Sequence, residues 1–342
     1  MDEIIAWLIK LIDYDTTISG RDAGLCADFI DRTLKERGVM TERFTTSGSV
    51  REGCHLVAEV PGKSSFTVLL HAHLDTAAFG EQEEWIVPAD RASRLHDRVF
   101  GRGALDCKGP LAVWMKLLTD AAERKKRGFT LRLLVTDLEE EGGRDGIGKL
   151  IDEHPGILSD VSLVIGEGGG YPFPYKDKII YTFQTGERDY EDTGRSHDND
   201  IGYISGVLSA GIRKGYYSED ILSYVADAPY LYGRRLDIRP LYDGMEEYFE
   251  RSAPSDVFSR YGKLFEKSLI REVPNAYVLP VITPGFSDNR RIRKTGLPMI
   301  GFFPLDIGNH LGGIHGKNEY ISEASLALAY RTMSAIFDGL PV

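Results

Sequence analysis

Three short apolar runs separated by stretches of helical patterning set the limits on what this chain can fold into. Phe66–Leu70, Phe129–Thr136 and Val161–Ile165 are too apolar for strands with one wet face, so they read as strands covered on both sides. Pro110–Ala122, with a proline at its start, and Gly146–Glu153 carry helical spacing between them, as do Ile4–Ile12 and Ala23–Leu34 at the beginning. Val57–Val60 adds a further short strand. Strands alternating with helices predict an α/β fold, a mostly parallel sheet with helices on both faces. Beyond about Thr182 the alternation breaks. Residues 186–200 are polar and turn-rich, Ile201–Lys214 is helix-like, and the stretch to about Lys267 is rich in Tyr, Arg and Asp. The pattern resumes with Tyr277–Ile282, Pro298–Phe303 and a last helix over Glu323–Phe337. The expectation is a discontinuous main domain, residues 1–182 and 271–342, with a smaller domain inserted at 183–270.

The chain of 342 residues carries a formal net charge of -11, and its longest basic run is Arg124-Lys125-Lys126-Arg127, which reads as a solvated helix end. Neither a nucleic acid nor an anionic membrane is an expected partner. Cys26, Cys54 and Cys107 show no CxxC spacing, so a disulfide framework is not indicated and none of the three is a strong ligand candidate. Asp2 and Glu3 stand where a signal peptide would need positive charge, and no apolar run reaches membrane-spanning length. A cytoplasmic location is expected.

Each buried strand runs directly into acids or histidines, and in an open parallel sheet the carboxyl ends of strands are where ligands bind. His73 and Asp75 in HAHLDT are two residues apart, so both side chains can point the same way, one to bind a metal and one to orient it. As an isolated pair they would read equally well as a core histidine and a helix cap. Asp106 lies in GRGALDCKG, a glycine-flanked turn where a carboxylate can bridge two cations. Glu139, Glu140 and Glu141 crowd three negative charges at the end of a buried strand, a cost that a cation removes unless the turn is simply solvated. Glu167 in GEGGG follows the third strand, and His315 in IHGKNEY supplies a second imidazole. Two histidines and three carboxylates suit zinc and also permit cobalt or manganese.

Together these motifs resemble the di-zinc metallopeptidase family that holds aminoacylase, acetylornithine deacetylase, succinyl-diaminopimelate desuccinylase, and the glutamate and Gly-Xaa carboxypeptidases. HAHLDT, GRGALDCKG, LEEEGG, GEGGG and IHGKNEYIS occur in the family's order. The resemblance implies a zinc-exopeptidase-like catalytic domain with an inserted lid, and two zinc ions. It implies that His73, Asp106 and Glu167 hold one ion and Asp106, Glu140 and His315 the other. Asp75 would orient His73, and Glu139 would be the general base. The activity implied is cleavage of an amide bond in an N-acyl amino acid or short peptide with a free carboxylate. The alternatives are an aminopeptidase or dipeptidase of the same family and a non-catalytic metal- or peptide-binding relative. A serine hydrolase is disfavoured, since no GxSxG elbow occurs.

SDNRRIRKTGLPMIGFFP is similar to the family segment whose arginine matches Arg290, with Asn289 beside it. A guanidinium there could grip a substrate carboxylate, or Arg290 could belong to a surface basic cluster with Arg291, Arg293 and Lys294. The family's lid donates a histidine to the oxyanion. The nearest match is His197 in GRSHDND, which lacks the usual following serine and proline, and the insertion is short. Lid fold and assembly, monomer or homodimer, are therefore left open. His55, His96, His154 and His310 read as structural or loop histidines. His71 can face the same side as His73 but has no ligand counterpart in the family motif.

Overall fold

The computed structural model describes residues 1–124, 128–175, 177–187, 256–283, 287–311 and 313–340. Apolar spacing builds the opening helices: α1 (Asp2–Ile12) buries Ile4, Ile5, Leu8, Leu11 and Ile12, and α2 (Ala23–Glu36) buries Cys26, Ala27, Ile30 and Leu34. The main sheet comprises β1 (Met40–Thr46), β2 (Gly53–Val60), β3 (Thr67–His73), β6 (Thr130–Thr136), β7 (Leu163–Gly166), β8 (Pro172–Tyr175), β9 (Lys178–Glu187), β10 (Ala276–Thr283) and β11 (Met299–Gly301). A small second sheet is made of β4 (Ser93–Leu95), β5 (Arg98–Phe100) and β12 (Tyr320–Ser322). The other helices are α3 (Lys108–Glu123), α4 (Lys149–Glu153), α5 (Asp256–Ile270), α6 (Asn289–Lys294) and α7 (Glu323–Asp338).

The main sheet runs in the order β1-β2-β6-β3-β7-β11-β9-β10, with β8 paired to β9. Its centre, β6-β3-β7-β11, is parallel, whereas β1-β2, β2-β6, β11-β9 and β8-β9 are antiparallel. Every residue of β3 is buried. Val68, Leu70 and Ala72 enter a large core shared with α1, α2, α3, α5 and α7, while Leu69 enters a smaller core on the other face with Leu134, Leu150, Val164, Ile292 and Met299. Helices therefore cover both faces, and each fully buried Leu or Val contributes about 1.5–3 kcal/mol. Among the described residues no helix is long and apolar enough to cross a membrane.

The expected domain boundaries fall inside this core. β9 continues to Glu187 in the main sheet, and α5 packs Tyr261, Phe265 and Leu269 into the large core. Phe265 meets Phe183 and Phe302 edge-on, with ring centroids 5.1 and 5.0 Å apart. The remainder of the expected insertion, including Ile201–Lys214 and His197, lies outside the described residues. The helix expected over Gly146–Glu153 begins at Lys149. Gly146 takes φ -86° and ψ -111°, and a Cβ there would lie 2.1 Å from the Asp137 carbonyl oxygen.

Candidate metal centre

Because β6, β3 and β7 are adjacent and parallel, their carboxyl ends meet at one edge. β3 ends on His73, β6 leads through Asp137 and Leu138 to Glu139 and Glu140, and β7 leads to Glu167. Asp106 arrives on the loop before α3 and His315 on the loop before β12. The five proposed ligands thus converge from five chain segments.

Asp106 lies between the two imidazoles. Its Oδ1 is 3.0 Å from His73 Nε2 and its Oδ2 is 3.1 Å from His315 Nε2. Glu167 Oε2 lies 3.4 Å from His73 Nε2, and Glu140 Oε2 lies 3.0 Å from His315 Nε2. Two donor sets therefore share one aspartate: His73, Asp106 and Glu167, then Asp106, Glu140 and His315. Cys107, dismissed on its spacing, belongs beside the first set, with Sγ within 4.8 Å of its ligand atoms.

Asp75 acts on His73 from behind. Its carbonyl oxygen is 2.9 Å from His73 Nδ1 and its carboxylate oxygen is 3.5 Å away. A carbonyl can only accept, so Nδ1 carries a hydrogen and Nε2 is the ring nitrogen turned toward the acids. The other Asp75 oxygen accepts from the Glu140 backbone N–H at 3.0 Å, tying the β6 turn to the β3 end.

Electrostatics show what the cluster is suited to hold. Burial alone would disfavour a charged His73, yet Glu167, Asp106 and Asp75 hold it well above the ordinary imidazole range. Hydrogen bonds to Asp106 and Glu140 raise His315 to about 10. Against the effect of burial, His315 and His73 hold Asp106 below the usual carboxylate range. Burial pushes Glu139 well above that range against the pull of His73, and Glu167, Asp288 and Glu140 add to the rise. Oxygens Oε1 of Glu140 and Oε1 of Glu167 are buried without hydrogen-bond partners. Acceptors thus outnumber donors among mixed nitrogen and oxygen ligands, and divalent cations fit these residues.

Glu139 is not in either set that shares Asp106, but with His73 and Glu140 it forms a third group of donors within 4.8 Å of one another; it is 8 % exposed, with Oε2 4.0 Å from His73 Nε2. A tight turn holds it there. Gly142 N–H donates to the Glu139 carbonyl at 2.7 Å, Gly143 N–H to the Leu138 carbonyl at 3.0 Å, and Leu138 adopts φ 67°, which is strained for a branched side chain.

Arg290 reaches the same turn, donating from Nη2 to the Gly142 carbonyl at 3.1 Å, and Arg291 donates to that carbonyl at 2.8 Å. The surface-cluster alternative fails for Arg293, which is partly buried and binds Glu187 at 2.9 Å and Gln184 at 2.6 Å. Asn289 is fully buried behind the centre, donating to the Glu167 carbonyl at 2.9 Å and to Gln184 Oε1 at 3.0 Å. Among the described residues His71 joins no ligand set; its Nε2 is 3.0 Å from Thr136 Oγ1, which donates to Asp288. His55 is a satisfied core histidine between Thr46 and the Asp137 N–H. Arg51, Asp137, Arg102 and Glu319, which frame the centre, carry no motif signal that reveals their pairing.

The profile described as Peptidase family M20/M25/M40 matches residues 69–338, and the chain belongs to this family. A cysteinylglycine-S-conjugate dipeptidase of Corynebacterium striatum is 33% identical over 144 residues, 42% of this chain and 31% of that protein. A probable succinyl-diaminopimelate desuccinylase of Staphylococcus aureus strain MRSA252 is 34% identical over 127 residues, 36% of this chain and 30% of that protein. These matches span about a third of the curated relatives' own length. The fold is similar to that of an M20 family metallo-carboxypeptidase, Sso-CP2 of Sulfolobus solfataricus, with TM-score 0.68, 16% identity, and coverage of 98% of this chain and 99% of that one. It is also similar to the di-peptidase Dug1p of Saccharomyces cerevisiae, with TM-score 0.67, 14% identity, and coverage of 100% and 97%.

Proposed function

We propose that this chain is a two-metal hydrolase that cleaves the amide bond of an N-acyl amino acid or short peptide bearing a free carboxylate. The observation that carries this is the division of the Asp106 carboxylate between two imidazole–carboxylate sets. His73, Asp106 and Glu167 would hold one ion, and Asp106, Glu140 and His315 the other. Two zinc ions suit the mixed donors, with cobalt or manganese able to replace them. When bound, such ions make water acidic near neutral pH and polarise a carbonyl oxygen.

The remaining roles belong to the chain. Asp75 keeps the proton on His73 Nδ1. Glu139, made more basic by burial, takes a proton from the attacking water and delivers it to the leaving nitrogen. Arg290, on α6 beside the acidic turn, receives the substrate carboxylate. The names of the two curated relatives, a dipeptidase and a desuccinylase, support an amide next to an amino acid as the scissile bond.

Metal-loaded protein should hydrolyse at least one member of a panel of N-acyl amino acids and dipeptides, and lose that activity to a chelator. Glu139→Gln should retain its ions yet lose about 100-fold or more in kcat. Full activity in that variant would remove the assigned base. Arg290→Ala should raise KM for substrates with a free carboxylate and leave amidated analogues unchanged. Equal effects on both would point to an enzyme that reads the free amine.

A further inference from the structure

Glu319 follows His315 on the loop that leads into β12, and its side chain is fully buried. Its Oε2 accepts from Arg102 Nη1 at 2.9 Å and from Gly103 N–H at 3.1 Å. Its Oε1 accepts from the backbone N–H groups of Leu105 at 2.9 Å and Asp106 at 3.1 Å. The Glu319 carbonyl accepts in addition from Gly101 N–H at 3.0 Å. Gly103 adopts φ 85°, the left-handed conformation that turns its N–H into this ring of donors.

A carboxylate present only to neutralise a buried arginine would be expected to take both guanidinium nitrogens in a forked pair. Here Arg102 gives Glu319 a single bond and sends its Nε to the Ala78 carbonyl at 3.0 Å, with its guanidinium 5.2 Å from the Trp85 ring centre. Three of the four bonds to the carboxylate instead come from the backbone of the loop that ends on Asp106. One side chain thus clamps the loop carrying Asp106 to the loop carrying His315.

We propose that Glu319 is a positioning residue for the metal centre, fixing the Gly103–Asp106 backbone to the His315 loop so that both oxygens of Asp106 face their imidazoles. The proposal rests on the two-ion site described above. Losing the clamp frees Asp106 and His315 to move relative to one another, and groups that orient ligands in this way typically change metal affinity by about 10–100-fold.

The test is calorimetric titration of chelator-stripped full-length chain with Zn²⁺, alongside thermal melts of the same samples. Glu319→Gln should weaken Zn²⁺ binding about 10–100-fold. Arg102→Gln leaves the three backbone bonds in place and should cost less affinity than Glu319→Gln. Where Glu319→Gln does not fold because Arg102 is left unpaired, Arg102→Gln/Glu319→Gln removes both charges. Glu319→Asp keeps the charge but withdraws its reach, and each is expected to show the same loss of affinity. Folded Glu319 variants that bind Zn²⁺ within twofold of the parent overturn the proposal, as does a larger loss from Arg102→Gln than from Glu319→Gln. A parent chain that takes up no Zn²⁺ overturns the two-ion site, and the proposal with it.

Discussion

Arg51 and Asp137 form a two-pronged ion pair directly behind the acidic turn, with Nη1 2.5 Å from Oδ2 and Nη2 2.7 Å from Oδ1. The Asp137 side chain is completely buried, and it also accepts from the N–H groups of Cys54 and Leu138. It thereby ties the start of β2 to the residue that precedes Glu139. Arg51→Met leaves this buried carboxyl group without its counter-charge, and is expected to destabilise the fold by about 3 kcal/mol. Urea unfolding monitored by circular dichroism measures the change, and a loss below about 1 kcal/mol would assign the pair little weight.

Both proposed ion sets include Asp106, so its removal should act differently from removal of any other proposed ligand. Asp106→Ala is expected to abolish uptake of both ions, whereas Glu167→Ala and His315→Ala should each spare one. Elemental analysis of purified protein after equilibration with zinc distinguishes these outcomes. Retention of a full complement by Asp106→Ala would exclude a bridging aspartate.

Ion removal should weaken the fold. The carboxylates at the centre repel one another, and Glu140 and Glu167 each keep an oxygen buried with no hydrogen-bond donor. An ion held at 100 times its dissociation constant stabilises the folded state by about 2.7 kcal/mol through mass action alone. Thermal melts with and without chelator should therefore separate, and adding zinc back should restore the higher transition. Superimposable melts would count against the site.

His55 makes stability fall on mild acidification. Burial lowers its pKa from 6.5 to about 4, with Asp288 and Asp75 acting to raise it and Arg51 to lower it. The ring fits only when neutral: Nδ1 accepts from the Asp137 N–H at 3.2 Å and Nε2 lies 2.9 Å from Thr46 Oγ1, which itself donates to the Asp145 carbonyl. A group depressed below its unfolded value adds stability that is present above pH 6.5 and lost as pH falls towards 4. Between pH 7 and pH 5 the loss from this group is about 2 kcal/mol. Denaturant unfolding at the two pH values should show that extra slope in the parent chain and its absence in His55→Gln.

Much of this architecture is legible in the sequence, for identifiable reasons. The runs ending at Leu70, Thr136 and Ile165 are largely apolar because both faces of the sheet are covered, and their motifs lie at the carboxyl ends of the strands. β1 gives no such signal because most of it is exposed or half-buried at the sheet edge, and the three strands of the small sheet are only three residues long. α5 follows a tyrosine- and arginine-rich stretch, so its contribution to the main core is hidden until Phe265 is seen against Phe183. At the centre, residue type and motif order identify candidate ligands. They do not reveal that Arg102 meets Glu319 across 217 positions, or that Asn289 is buried behind Glu167.

The alignment of the central strands also bears on when the site can come into being. β3 sets His73 opposite Thr136 of β6 and Leu70 opposite Ile165 of β7, and a slip of one residue would turn alternate side chains to the wrong face. The proposed ligands lie at positions from 73 to 315, so neither proposed ion set is complete until distant segments have docked in register. Capture of an ion at the proposed site would then be a late event during refolding, a seal on an assembled sheet rather than a nucleus for it.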